Sequence, residues 1–543
     1  MKPLHLLLLL FLPLWGRAQH PVIDFVYSYG GDRAEGGGKA FHFTKDGYIL
    51  YGNGTTSHTN DLTCNTWDTT HPAGRPEVGW LLKLDKTGNE IFTRCYSHVF
   101  FSDLMTTRDS GCIGGGNSTY CKDTLHTGKD LSLQKLDKDG NIQWMHCYGG
   151  PVCNMESIDT TSDGGYIFLA ESNYAGGDID VHYGSSPFLA DCFLVKVDSV
   201  GTIQWKRVLG GSDDDRPNRV KQIAPGKYLT MINSLSTDSM LTGLPIYYDN
   251  SSGNNDWYCV FDSVGNIIQQ AVMPWWGAKV MSDVVTTKDG GYMMCGLACR
   301  LPQDVVLHKT NHNCTTQDST NGDFAIFKLD SAFQIQWCWT EGGEYLDYLR
   351  TITAMSDTTF LAVGYSTSPD YNASSLCLVH PNSNQDEGWV FCIDIHGTIL
   401  WRKCFSGSLY NVLDNCLYDA TTGNIFLSGG GYSIDGDVTG VPNYGAADEW
   451  LVKMEVWHTG IKEIEETKVV IYPNPTSGKI WIEMRNEIEG ALSISNSLGQ
   501  IVYTGKLNRG STSINVELPS GILFYRAELE NGQVETGKVV VLR

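Results

Sequence analysis

Seven copies of one short sentence limit what this chain can fold into more than any other feature. In Lys135-Leu-Asp-Lys-Asp-Gly-Asn-Ile-Gln-Trp144 two strand-like runs meet at an Asp/Gly/Asn turn, the chemistry of a tight β-hairpin. Aligned on the acidic residue that ends the first run, the copies fall at Asp85, Asp137, Asp198, Asp262, Asp330, Asp394 and Glu455, spaced by 52, 61, 64, 68, 64 and 61 residues. Lysine precedes the anchor by two positions at Lys83, Lys135, Lys196, Lys328 and Lys453. Glycine follows by three at Gly88, Gly140, Gly201, Gly265 and Gly397, and tryptophan by seven at Trp144, Trp205, Trp337 and Trp401. A unit repeated in this way buries its apolar faces by stacking on its neighbours.

A second hairpin precedes the first in each unit, clearest in Thr44-Lys-Asp-Gly-Tyr48, Thr161-Ser-Asp-Gly-Gly-Tyr166 and Thr287-Lys-Asp-Gly-Gly-Tyr292. Two hairpins make a four-stranded meander, the blade of a propeller. The seventh unit stops at Glu455 with no outer strand. Near the N-terminus, however, Phe25 precedes Gly30-Gly31 as Trp205 precedes Gly210-Gly211. The expected fold is therefore all-β: a seven-bladed β-propeller over residues 20–456, closed by the N-terminal strand. The long connections between second and third strands vary most, and their shared face is the expected place of function.

With 39 Lys+Arg against 61 Asp+Glu the formal net charge is -22, which excludes nucleic acid and anionic membrane surfaces as partners. A cation or a neutral polymer such as an extracellular glycan, or a protein, fits that charge. Residues 1–19 read as a signal peptide: Lys2, an apolar run from Leu6 to Leu14, then Gly16-Arg17-Ala18. That run is too short to span a bilayer, and no transmembrane segment is expected. Sixteen cysteines in an exported chain read as disulfide material. The near pairs are Cys112 with Cys121, Cys147 with Cys153, and Cys404 with Cys416; connectivity stays open, and cysteines on strands also read as buried thiols.

After a charged linker at 457–467, residues 468–543 change pattern to alternating strands with Gly/Pro/Asn turns, a small β-sandwich. Four motifs stand in order there: Tyr472-Pro473-Asn474-Pro475-Thr476-Ser477-Gly478, Leu498-Gly499-Gln500, Leu518-Pro519-Ser520-Gly521-Ile522 and Gly537-Lys538-Val539-Val540-Val541. The stretch resembles the type A C-terminal sorting domain of type IX secretion substrates. The resemblance implies that Tyr472, Pro473, Asn474, Pro475, Gly478, Gly499, Pro519, Gly521 and Lys538 form the sorting motif. It further implies that the partner is the type IX machinery, and that the chain passes periplasm and outer membrane to be secreted or displayed. Leu523-Phe524 departs from the family pattern, and an insertion or register shift is expected there. The propeller repeats also resemble those of secreted proteins with this address, which brings architecture but no activity.

The recurring Asp, Lys and Trp read as structural: a turn cap or inter-blade ion pair, and inter-blade packing. Two acidic loop groups, Asp178, Asp180 and Asp191, and Asp435, Asp437 and Asp448, have the spacing of hard oxygen ligands for calcium. Turn chemistry explains the same residues. Cys295, Cys299, His308, His312 and Cys314 have zinc-ligand types without finger spacing, and disulfides are the preferred reading. There is no Gly-x-Ser-x-Gly and no His-Glu-x-x-His, so no catalytic residue is assigned. The leading expectation is a binding or adhesion module for carbohydrate or protein. The alternative is a polysaccharide hydrolase or lyase, favoured by two carboxylates from different blades about 5–10 Å apart in a cleft.

Overall fold

A computed structural model describes residues 22–29, 40–55, 78–97, 101–118, 130–150, 153–245, 255–273, 279–298, 306–308, 322–368, 386–439, 448–455, 469–472, 476, 480–484, 490–496, 499–507, 511–514, 518–529 and 534–541. The leader expected at 1–19 lies outside these. Among the described residues there is no α-helix, only the short 3-10 turns Ser239–Leu241 and Gly436–Val438. The chain divides into two compact units, Met1–Trp457 and His458–Arg543.

Among the described residues the first unit holds seven sheets, each built on four antiparallel strands that, except in the last sheet, pair in chain order. Sheet I is Ala40–Phe43, Ile49–Thr55, Val78–Leu84 and Glu90–Ser97, and sheet II is Asp103–Thr106, Cys112–Ser118, Asp130–Leu136 and Ile142–Tyr148. Sheet III is Cys153–Thr160, Tyr166–Ser172, Asp191–Val197 and Ile203–Leu209, and sheet IV is Asp215–Ala224, Lys227–Ser234, Asn255–Phe261 and Ile267–Val272. Sheet V is Lys279–Thr286, Tyr292–Ala298, Asp323–Leu329 and Ile335–Glu341, with the short parallel strand Val306–His308 added at its edge. Sheet VI is Asp347–Ala354, Thr359–Ser366, Glu387–Asp394 and Ile399–Phe405. Sheet VII takes Asn411–Asp419, Asn424–Gly431 and Asp448–Glu455 from one end of the unit and Val22–Tyr29 from the other. In that last pairing Val22 lies opposite Glu455 and Tyr29 opposite Glu449. The first strand of each sheet packs against the first strand of the next, and that of sheet VII packs against that of sheet I.

The recurring residues explain this stacking. Asp137 spends one carboxylate oxygen on the N–H groups of Asp139 and Asn141, at 2.9 and 2.8 Å. Asp85, Asp198, Asp262, Asp330 and Asp394 cap their own turns in the same way. The turn glycine adopts positive φ, 78° at Gly140 and 86° at Gly201, which a side chain resists. It is also gripped by the preceding sheet: Tyr96 Oη donates to Gly140 O at 2.6 Å and Tyr148 Oη to Gly201 O at 2.5 Å. Trp205 and Trp337 reach the next sheet through Nε1, donating to Ser263 O and Ile395 O. The N-terminal strand repeats this grip on sheet I, where Tyr29 Oη donates to Gly88 O at 2.9 Å.

The buried lysines differ from one of the expected roles. Lys135, Lys196 and Lys328 pair at 2.8, 2.9 and 2.8 Å with Asp109, Asp163 and Asp289, which belong to the first hairpin of the same sheet. These ion pairs therefore lock a sheet's two hairpins together and do not link neighbouring sheets. The near cysteine pairings are also corrected. Cys112, Cys153, Cys192, Cys259, Cys295, Cys338, Cys392 and Cys416 are free and buried, so none of the three proposed neighbours pairs; Cys121 lies outside the described residues. On these strands the thiol serves as a small apolar side chain.

The second unit has a three-stranded sheet, Val469–Tyr472, Ile480–Met484 and Ser511–Ile514, and a four-stranded one in the order Ile501–Leu507, Gly490–Ser495, Gly521–Leu529, Val534–Val541. Ile480, Leu492, Ile494, Leu507, Leu518, Leu523, Ala527, Val539 and Val541 form its core. The register shift expected at Leu523-Phe524 is absent. Gly521 to Glu528 pair without interruption with Val541 to Val534, and Phe524 to Leu529 with Ser495 to Gly490. The alternation simply continues, burying Leu523 and leaving Phe524 outside.

Two glycine substitutions separate backbone strain from inter-sheet grip. Gly88 (φ 86°) and Gly164 (φ 88°) share a conformation, but a Cβ at Gly88 would lie 2.2 Å from the Tyr27 ring, whereas nothing is within 4 Å at Gly164. Gly164→Ala should cost about 1 kcal/mol and Gly88→Ala about 3 kcal/mol in denaturant unfolding. Equal losses would refute a grip by the N-terminal strand.

Candidate functional site

Five successive first strands carry a β-bulge at the same place: between Met155 and Ser157, Pro217 and Arg219, Met281 and Asp283, Leu349 and Thr351, and Leu413 and Asn415. The extra residues are Glu156, Asn218, Ser282, Arg350 and Asp414, all polar. A bulge twists its strand and re-aims one side chain, which is why such features gather near sites. Of the residues that follow the bulges, Arg219 meets Asp283 at 3.2 Å and Thr351 meets Asn415 at 3.4 Å, each across neighbouring sheets.

Charge concentrates on this inner line. Arg219 of sheet IV lies 3.7 Å from Asp103 of sheet II and 3.2 Å from Asp283 of sheet V, and Lys221 lies 2.7 Å from Asp283. Ile158 N–H donates at 3.0 Å to the same Asp103 oxygen that Arg219 approaches, Leu104 N–H donates to the other at 2.9 Å, and Ile352 N–H donates at 3.2 Å to the Asp283 oxygen that the two cations leave. Burial acts to raise the Asp283 carboxyl, but Lys221 and Arg219 outweigh it and hold it below the usual range. Burial, with Arg219 and Lys221 adding to it, lowers His42 of sheet I to about 4, so its imidazole is neutral. One arginine thus touches sheets two apart in the chain, and a cluster this enclosed is a fastening rather than a binding surface.

The accessible part lies between sheets VI and VII, at the end from which the variable loops leave. The Arg350 side chain, 40% exposed, has Nε 3.6 Å from Asp414 Oδ1. Its guanidinium carbon lies 5.2 and 5.3 Å from the ring centres of Tyr348 and Tyr365. Those two rings stand nearly perpendicular, 6.1 Å apart, and Tyr410 and Tyr432 form a second edge-to-face pair at 6.0 Å. Tyr345, Tyr410 and Tyr432 are 43%, 38% and 42% exposed. Burial raises Asp386 to about 6 against the pull of Arg350, and it raises Asp414 against the same cation. Flat rings flanked by a guanidinium and two carboxyl groups offer stacking faces and hydrogen bonds to one ligand.

Closer carboxylates exist, but they are sealed. A Cβ at Gly342 would lie 2.5 Å from Asp347 Oδ2 and 2.6 Å from Asp323 Oδ1, so carboxyls of neighbouring sheets gather around that glycine. Asp347 accepts from Gly343 N–H at 2.7 Å, from Ser368 Oγ at 3.0 Å, and from Ser366 Oγ. Burial raises Asp347 to about 8 despite these donors, with Asp323 adding to the rise. The copy around Gly210 uses Asp191 and Asp215, with Asp215 raised by burial to about 6. Asp191, Asp215 and Asp347 have no exposure, so neither pair opens on a polymer cleft.

The six calcium candidates are engaged as follows. Asp178 accepts from Gly149 N–H at 3.1 Å and Asp180 pairs with Lys206 at 3.0 Å. Asp191 accepts from Tyr183 N–H at 2.5 Å; Asp435 accepts from Ser408 N–H at 2.7 Å. Asp437 pairs with Lys403 at 2.9 Å and accepts from Ser406 N–H at 3.0 Å, while Asp448 is buried. Several of these contacts tie a second-to-third-strand loop to the connection leaving the outer strand, as Asp238 does by accepting from Ser212 N–H at 2.8 Å. Among the described residues no group of three or more His, Cys, Asp or Glu is gathered for a metal. Of the zinc types, Cys295 is a buried free thiol and Cys299, His312 and Cys314 lie outside the described residues.

In the sorting motif, Tyr472 ends its strand, while Pro473, Asn474, Pro475 and Gly478 lie outside the described residues. Thr476 bridges to Val541, which also pairs with Gly521, so the first, third and last motifs meet on one row. Gly499 (φ 79°) closes a turn by donating to Asn496 O at 3.0 Å, Pro519 is exposed, and Lys538 lies opposite Phe524. Sequence reasoning missed the bulge residues. Their signal was nevertheless present: Glu156, Asn218, Ser282, Arg350 and Asp414 follow one another at 62, 64, 68 and 64 residues, keeping close to the repeat's own spacing.

Residues 470–542 match the family model of the secretion system C-terminal sorting domain. The chain thus carries the address read by the type IX machinery and is exported, to the cell surface or beyond it. Among the described residues no helix is long and apolar enough to cross a membrane. No curated protein matches the chain. Among solved structures, it is similar to PorZ, an essential bacterial surface component of the type IX secretion system of Porphyromonas gingivalis, at 12% identity and TM-score 0.39, over 96% of this chain and 61% of that one. It is also similar to the Dos1 propeller, at 9% identity and TM-score 0.37 over 80% and 96% of the two chains. A mutant of the Synechocystis apocarotenoid oxygenase gives 9% and 0.37 over 92% and 98%.

The raised Asp347 has a definite consequence for pH. The folded state holds its proton up to about 8, whereas the unfolded chain releases it near 3.8. Between those values the folded state binds more protons, so stability falls as pH rises. Asp347→Asn, uncharged at every pH, should flatten the decline of melting temperature between pH 5 and pH 8. Parallel curves for the two proteins would rule this out.

Proposed function

We propose that the first unit is a seven-bladed β-propeller over residues 20–456, closed by its N-terminal strand, that binds carbohydrate outside the cell. A linker at 457–467 joins it to the sorting domain at 468–543. Support for the ring is the succession of first-strand contacts that returns from sheet VII to sheet I. Arg219 reaching both Asp103 and Asp283 supports it independently, since strands of sheets II, IV and V converge only around a common axis. Closure removes an exposed sheet edge that invites aggregation.

The observation that carries the binding reading is Arg350 packed against Tyr348 and Tyr365, beside the exposed pair Tyr410 and Tyr432. Sugar rings present C–H faces to aromatic rings and hydroxyls to charged groups, and a site of mixed sign suits a neutral glycan better than an ionic one. A hydrolase has one observation in its favour, the raised Asp386 and Asp414, carboxyls of adjacent sheets that both interact with Arg350. In the disulfide reading, Cys95, Cys147 and Cys404 carry the bridges. They share one place on the outer strand, three residues after Phe92, Trp144 and Trp401.

Two experiments test these readings. Deleting Val22–Tyr29 should lower the melting temperature of the entire first unit in one transition; loss confined to sheet VII would contradict a closed ring. On a glycan array, Tyr410→Ala with Tyr432→Ala should weaken binding at least tenfold, about 1.4 kcal/mol. Binding only to protein ligands would replace the carbohydrate reading. Glycan turnover abolished by Asp386→Asn and Asp414→Asn would replace binding by hydrolysis.

A further inference from the structure

The tyrosines between sheets VI and VII are one end of a longer polar lane in the first unit. Two residues before the bulge, at one level of successive first strands, stand Asn154, Arg216, Val280 and Tyr348. On the second strand Glu171 lies opposite Asn154, as Tyr365 lies opposite Tyr348. The bulge residues carry this level from sheet to sheet, since Asn218 donates to Met281 O and Ser282 Oγ to Leu349 O. At the far end, Asn117 Nδ2 of sheet II donates to Asn154 Oδ1 at 2.6 Å, and Asn154 Nδ2 donates to Glu171. Glu171 Oε2 in turn lies 3.3 Å from Arg216 Nη1, and Asp214 Oδ2 lies 2.6 Å from Arg216 Nε. The Arg216 side chain is still 55% exposed. Among the described residues Asn117 Oδ1 has no hydrogen-bond partner, and neither has Arg350 Nε at the other end, where Asp414 at 3.6 Å lies beyond hydrogen-bond reach.

We infer that the ligand is an extended neutral oligosaccharide laid along this lane, and that Asn117, Asn154, Glu171 and Arg216 form a second subsite for the sugar units beyond the tyrosines. The inference rests on the carbohydrate reading of the tyrosine site. Hydroxyls need donors and acceptors together, and side-chain amides beside a carboxylate and a guanidinium supply both. Glu171 and Asp214 against Arg216 keep the mixed sign of the first subsite, which suits a neutral chain. Stacked sheets lie about 10 Å apart, so from sheet IV to sheet VI one sugar ring does not touch both clusters. Between them stands Val280, half-buried and apolar, a surface for the C–H face of an intervening ring. Once one end of such a chain is held, engagement of the other end is intramolecular, and affinity rises without a new ligand.

The test is a glycan array that carries each neutral glycan as a ladder of increasing length, probed with the full-length chain. Parental affinity should climb with length, by about tenfold or more from the shortest member to the longest, and then level off. Arg216→Ala should remove most of that climb, whereas Tyr410→Ala with Tyr432→Ala should weaken every length. Glu171→Gln keeps the side-chain shape, releases Arg216 from its partner and should flatten the climb several-fold. It decides the matter if Arg216→Ala fails to fold. Parental affinity that is equal at every length overturns the second subsite and leaves the tyrosine site standing. Equal weakening of all lengths by Arg216→Ala or Glu171→Gln also overturns it, because the cluster then supports the fold or the first subsite. A parental chain that binds no member of any ladder rejects the carbohydrate reading itself, and the inference with it.

Discussion

The contact of Arg219 with Asp103 and Asp283 is the constraint on which the arrangement of the first unit depends. A guanidinium buried without partners is costly, and removing one partner of a buried ion pair typically costs about 3–5 kcal/mol. Arg219 therefore fixes the distance between sheets II, IV and V, and Lys221 holds Asp283 from a second side. The backbone amides of Ile158 and Ile352 complete the carboxylates. What the cluster contributes is position: seven sheets that stack through apolar faces alone have freedom to slide, and directional contacts at the inner line remove it.

Around that line the outer strands supply a different kind of fixing. Tyr29, Tyr96 and Tyr148 each donate to a turn carbonyl of the following sheet, and Trp205 and Trp337 reach farther along the same turn or its equivalent. The turn must keep one shape to be held, and the capping aspartate with its positive-φ glycine provides it. The lysine-aspartate pair then joins the two hairpins within a sheet. Each recurring residue has a separate task, and together they leave the loop face free to vary.

The parts legible in the sequence were those that recur. Turn anchors were readable because the same chemistry returns seven times, and Val22–Tyr29 was readable as an outer strand because Phe25 and its glycine pair imitate Trp205 and its own. What escaped depends on register. A bulge adds one residue and reverses which side chain faces inward, so Arg350 and Asp414 looked like ordinary strand positions. The partner of Lys196 escaped for a related reason: whether a buried lysine reaches its own sheet or the next depends on distances that spacing alone does not contain. At Leu523-Phe524 the departure from the family pattern leaves the pairing register unbroken, because strand alternation continues through both residues.

The two tyrosine pairs follow from the same bulges. The bulge at Arg350 lets Thr351 and Ile352 keep their places in the fastening while the guanidinium turns toward Tyr348 and Tyr365. One extra residue thus gives a strand an inward structural face and, one position earlier, a solvent-reachable group. Sheets III, IV and V have the same bulge with Glu156, Asn218 and Ser282, but of these Ser282 donates to Leu349 O at 2.8 Å and Asn218 to Met281 O, closing the gap between neighbours. Between sheets VI and VII the corresponding residues are a cation and an anion whose separation is 3.6 Å. The stacked sheets are therefore pinned by short side chains between sheets IV, V and VI and left accessible between sheets VI and VII, where the exposed tyrosines stand.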